Sequence, residues 1–211
     1  MIRTASAVAV AVLAIGVLPA HAQVPAGGEF LVSTYTTYFQ HKPRVAVEPD
    51  GDFVIVWNDN SRDGDSECVI GQRFAASGAR RGADFLVNTY SPDGQFRPQV
   101  AIDARGDAIV VWSSRYQDGD GYGVYGRRVS ADTGAPAGPE FRVNTATALN
   151  QDYPRVKMTP DGRFVTVWAT NASGGGSRSI SARRFDAQAN GGNEIAVSAQ
   201  GIQPDVGLRP D

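Results

Sequence analysis

A unit of about 55 residues is written repeatedly along this chain of 211 residues. Trp57 to Trp112 is 55 residues and Trp112 to Trp168 is 56. Pro43, Pro98 and Pro154 keep the same steps, and so do Phe30, Phe85 and Phe141. A period of this length marks one supersecondary unit that cannot bury its apolar faces alone and needs copies of itself as neighbours. Three copies run over approximately 28–81, 82–137 and 138–191, and a partial fourth over 192–211.

Each copy reads as four strands. The first lies at 29–34, 84–89 and 140–145, where Phe and Val alternate and an Asn/Ser-Thr pair follows; such alternation puts both apolar residues on one face. The second follows a Gln-x-x-Pro step and alternates Val45 with Val47, Val100 with Ile102, and Val156 with Met158. Proline is expected at its start, where the missing N–H falls outside the ladder. A turn glycine comes next, at Gly51, Gly106 and Gly162, and supplies the positive φ of a short hairpin. The third strand is apolar on both faces and ends at the tryptophan, as in Phe53-Val54-Ile55-Val56-Trp57. A continuous apolar run of strand length marks a strand covered on both sides. The fourth carries Gly71, Gly126 or Ala182 at one position, which predicts close backbone approach or a bulge. Spacings are constant inside the unit and vary between the fourth strand and the next first strand, which places the expected blade boundary there.

Four antiparallel strands per unit with a doubly covered third strand predict an all-β, β-propeller-like array of about three and a half blades, in which propellers usually need four to eight. A β-sandwich would explain the strands but not the strict period. On the propeller reading Trp57, Trp112 and Trp168 are core between blades. The array is expected to be a fragment of a longer protein or to close by self-association.

Residues 1–22 read as a secretory signal: Arg3, an apolar run from Ala5 to Ala20, then Ala20-His21-Ala22. The repeat domain is then 23–211, and the expected location is periplasmic or extracellular, without a membrane span after cleavage. A formal charge of −2 offers no basic excess for nucleic acid. Cys68 is the one cysteine and is expected to be a buried, inert thiol.

The strongest polar cluster joins the third and fourth strands: Asp59, Asp63, Asp65 and Glu67 in copy one, Asp118 and Asp120 in copy two. Acidic residues at alternate positions among glycines can present several oxygens to a hard cation. Calcium is therefore the candidate cofactor, held by Asp63, Asp65, Asp118 and Asp120, against the simpler reading of solvated Asp-Gly turns. Tyr35, Tyr38, Tyr90, Phe96 and Tyr153 fall in the loops before the second strand and are candidates for ligand binding. His41 and Cys68 have no catalytic motif around them, and no catalytic set is identified.

The phrases QDGDGYGVYGRR at 117–128 and EFRVNT at 140–145 resemble repeats of large secreted bacterial proteins that carry propeller-like arrays, and the resemblance covers nearly all of 28–211. It implies an extracellular or envelope-associated array. The function expected from the sequence is a non-enzymatic module that displays loops to a glycan, surface or protein partner. The alternative is a propeller-class carbohydrate-active enzyme, a glycoside hydrolase or lyase.

Overall fold

The computed structural model describes residues 27–171, 178–201 and 204–207. The signal reading at 1–22 and the last residues of the fourth copy, 208–211, lie outside them. Among the described residues, twelve strands form three four-stranded antiparallel sheets, each in chain order. The first holds β1 (Gln40–Val47), β2 (Phe53–Asn60), β3 (Glu67–Phe74) and β4 (Arg80–Leu86); the second holds β5 (Gln95–Ile102), β6 (Ala108–Arg115), β7 (Tyr122–Val129) and β8 (Pro136–Arg142); the third holds β9 (Asn150–Met158), β10 (Phe164–Asn171), β11 (Ser179–Phe185) and β12 (Gly191–Ser198). Strand β5 packs on the first three strands of the first sheet, and β9 on the first three of the second. That stacking gathers the first strands on one side and leaves β4, β8 and β12 on the other, as blades of a propeller are arranged.

The sheet and the sequence unit are offset by one strand. Residues read as opening a new copy close the preceding sheet instead: Phe85 is the partner of Gly71 and Phe141 the partner of Gly126. The variable link is thus a hairpin inside the blade, and the boundary between blades falls after Asn88 and Asn144. A hairpin loop at an exposed edge tolerates length change better than the crossover between packed sheets. In copy one, 29–34 has no sheet to close and is not a strand. In copy four, Glu194–Ser198 lies within β12 and completes the third sheet.

The repeated prolines also sit differently from expectation. They lie inside the first strands, not at their starts, where register shifts mark bulges between His41 and Arg44 and between Phe96 and Gln99. The residue before each proline is left-handed: Lys42, Arg97 and Tyr153 have φ of 53°, 55° and 56°. A bulge is one of the few places in a strand that accepts proline, and it re-aims the side chains around it.

Apolar runs on the second strands produce the core, as expected. Every residue of β6 from Ala108 to Ser114 is buried. Val54, Val56 and Val69 of the first sheet meet Val110, Trp112 and Val129 of the second. Ile109, Val111 and Val124 of the second meet Val156, Trp168 and Phe185 of the third. Trp57 is buried with Cys68 and Ile70, so all three tryptophans are core.

Candidate functional site

The repeat supplies an internal control: a residue found in every copy serves the blade, and one that differs between copies is free to serve something else. Asn88 and Asn144 come near the first kind, their position being held by Ser33 and Ser198 in the first and fourth copies. Asn88 accepts the Val69 N–H at 2.8 Å and donates to Gln95 Oε1 at 3.0 Å and Asp63 Oδ2 at 3.0 Å. Asn144 accepts from Val124 N–H at 2.7 Å and donates to Gln151 at 3.2 Å and Asp118 at 3.1 Å. This buried knot explains why the Asn and the Gln of Gln-x-x-Pro recur, since each buried amide needs its partners.

The four carboxylates chosen for calcium divide into two pairs in two blades. Asp63 and Asp118 belong to the asparagine knots, while Asp65 accepts the Asp93 N–H at 2.8 Å and Asp120 the Leu149 N–H at 3.0 Å. Each pair therefore braces the crossover into the next sheet. Among the described residues, the acidic group that does converge, with oxygens within 4.8 Å of one another, is Glu48, Asp50 and Asp52 at the opposite ends of β1 and β2. Glu48 already pairs with Arg73 at 2.9 Å and Asp52 with Arg81 at 2.5 Å.

The copies part company at the start of the first and third strands. Aligned by the period, His41, Phe96 and Asp152 share a position, as do Lys42, Arg97 and Tyr153; Asp59, Ser114 and Thr170; and Glu67, Tyr122 and Arg178. Side chains at or beside these positions meet across each sheet. In the first, His41 Nε2 lies 3.0 Å from Glu67 Oε2. In the second, Phe96 and Tyr122 make an edge-on aromatic pair at 5.8 Å. In the third, Tyr153, at the position next to that of His41 and Phe96, has Arg178 4.7 Å from its ring centroid and Arg97 of the second sheet at 4.3 Å. One end of the blades thus carries, at the same or adjacent repeat positions, an acid–imidazole pair, an aromatic pair and a cation–aromatic contact. The left-handed residue and bulge beside it turn these side chains to the end of the blade.

Two carboxylates here behave differently from the bracing ones. Asp59 is fully buried; desolvation raises its pKa above 3.8, against hydrogen bonds from Trp57 and Gln40 that lower it. Its uncharged form is favoured relative to a solvated aspartate, so it holds a proton more readily. Glu67 retains 19% side-chain exposure. Asp152, by contrast, is saturated: it takes Arg97 at 2.9 Å, Ser113 Oγ at 2.6 Å and the Tyr153 N–H at 2.7 Å, which ties the second blade to the third.

Of the five aromatic candidates, Phe96 and Tyr153 belong to this end of the blades, and they lie inside β5 and β9 and not in the loops expected, because the first strands begin before the bulge. Tyr38 is exposed, two residues before Gln40. Tyr35 lies under the Arg62 guanidinium at 5.3 Å, and the Tyr90 backbone is held by Asn88 and Glu140. The pairing of His41 with Glu67 and of Phe96 with Tyr122 was not foreseen; asking where aligned copies differ would have found those positions.

No protein-family model and no curated protein matches the chain. Solved structures share its fold. An N-acetylgalactosamine deacetylase from F. plautii, in complex with blood group B trisaccharide, aligns at TM-score 0.54 and 16% identity over 82% of this chain and 56% of that one. An endo-1,4-β-xylanase from Bacteroides thetaiotaomicron aligns at 0.51 and 14% over 81% and 58%, and a family-43 endo-arabinanase from Bacillus licheniformis at 0.50 and 16% over 77% and 60%. The chain spans well under two thirds of each of these structures. At such identities the likeness establishes the propeller-like fold. All three of these structures are named as enzymes acting on carbohydrates, and this corrects the expectation of a non-enzymatic display module in favour of the enzyme alternative.

Proposed function

We propose that the chain is part of a propeller-class carbohydrate-active enzyme that cleaves glycosidic bonds, with its working end at the start of the first and third strands of each blade. The observation that carries this reading is the divergence of the copies at that end, where a blade-forming position becomes acidic, aromatic or cationic in turn. The carbohydrate substrates for which solved structures with the same fold are named support that substrate class. Glu67, partly exposed and held by His41, is the carboxylate for proton transfer; glycoside cleavage needs an acid and a base or nucleophile flanking the bond. Asp59 is the carboxyl whose burial favours the protonated form. Phe96, Tyr122 and Tyr153 offer ring faces and edges on which a sugar can stack.

Arabinan, xylan and aryl-glycoside panels incubated with purified protein test this. Glu67→Gln is expected to lower turnover at least a hundredfold, in line with the loss of a general acid or base, with the melting temperature retained. Phe96→Ala is expected to raise KM more than it lowers kcat. Turnover that survives Glu67→Gln unchanged, or a folded protein inactive across the whole panel, sinks the proposal.

A further inference from the structure

Residues 29–34 make the side-chain contacts of an outer strand without belonging to a sheet. Phe30 stands against Phe74 at 5.4 Å, as Phe141 stands against Phe185 at 5.6 Å. Thr34 Oγ1 donates to Asp84 at 3.1 Å, as Thr145 Oγ1 donates to Glu194 at 2.7 Å. Val32 packs on the cluster of Trp57 and Ile70, the station that Val87 and Val143 hold in the other two clusters. Arg80 adds a bond to the Leu31 carbonyl at 2.8 Å. Yet Phe85 and Phe141 are laddered to an inner strand, and among the described residues 29–34 is laddered to none.

The sheet face beside it is bare in the same sense. Val45 and Val47 of β1 are 57% and 58% exposed, whereas Val156 and Met158, their counterparts in the third blade, are 6% and 9% exposed under the preceding sheet. What covers this face elsewhere in the molecule is always the inner strands of a blade of this repeat.

We propose that 29–34 is the outermost strand of a further blade, and that the face of β1 and β2 is the docking surface for that blade's three inner strands, supplied by another copy of the repeat. The guest's third strand would pair along 29–34, a strand addition whose backbone bonds give affinity and whose alternate side chains give register. A whole second molecule of this chain fits poorly, because its third blade brings its own outer strand, β12, with Ile195 and Val197 claiming the places already held by Phe30 and Val32.

The test uses the intact chain and two probes cut from its own third blade: residues 150–185, without β12, and 150–198, with it. The shorter probe is expected to bind at least tenfold more tightly and to slow amide exchange at 29–34 at least tenfold. Deleting 27–35 from the chain should reverse that preference. Val45→Asp, at an exposed position, should abolish probe binding while leaving the melting temperature of the chain nearly unchanged. Equal or better binding of the longer probe to the intact chain, or no protection at 29–34, overturns the proposal. So does a chain that sediments alone as a dimer with 29–34 released.

Discussion

At the scale of single residues, burial sets the chemistry of two groups in the first blade. Desolvation pushes the Cys68 thiol up to about 12, so at pH 8 almost no thiolate forms to attack a reagent. The native protein is expected to leave a disulfide reagent untouched over hours and to react stoichiometrically once unfolded in urea; fast native labelling would refute the burial. Asp59 responds to pH with a definite sign. Its folded pKa is raised above 3.8, so its contribution to stability is complete below the unfolded value and declines as pH rises through the folded one. Asp59→Asn should therefore stabilise the protein at pH 7 by on the order of 1 kcal/mol, with the gain fading toward pH 4. Thermal melts of both forms across that range check it. On the proposed function the same substitution should lower turnover, since an amide can neither hold nor release the proton asked of this carboxyl.

At the scale of strands, the repeated glycine has a physical partner. A Cβ on Gly126 would lie 2.8 Å from the Phe141 ring, and one on Gly71 would lie 2.5 Å from Phe85. In the third blade alanine is allowed because Ala182 faces Ile195 and not phenylalanine. Gly126→Ala should thus cost about 1–3 kcal/mol by overpacking, and Phe141→Ile should recover much of it in the double mutant. Additive losses in denaturant titrations would show that the pair is not coupled. Close approach at this glycine was legible in the sequence, and so were the doubly covered strand and the turn glycines, because each follows from local stereochemistry repeated three times. The offset of sheet and repeat was not, since a period has no origin. Nor was the bulge before each proline, because Lys42, Arg97 and Tyr153 carry no common residue type to announce a left-handed backbone. Of the candidate site, the sequence singled out Phe96 and Tyr153 as aromatics, though it placed them in loops and not in β5 and β9; their neighbours Tyr122 and Arg178 lie some 25 residues on and meet them only through the hairpins.

At the scale of the whole molecule, the carboxylates that look most like cation ligands are occupied by the protein itself. Asp63, Asp65, Asp118 and Asp120 accept hydrogen bonds from the crossovers, and Glu48 and Asp52 face Arg73 and Arg81. A cation bound to the native state must raise its stability; the melting temperature is expected to be the same within error in millimolar calcium and in excess EDTA. A rise of several degrees would restore calcium as a ligand of these loops. Among the described residues no helix is long and apolar enough to cross a membrane. The offset between sheet and sequence unit reaches beyond this one chain. Because the second and third units each finish the blade before them and begin the one after, cutting or inserting DNA at the same phase of the repeat removes or adds one blade and rejoins every ladder intact. Unequal recombination can therefore lengthen or shorten such an array in whole blades, without passing through a variant that carries a severed sheet.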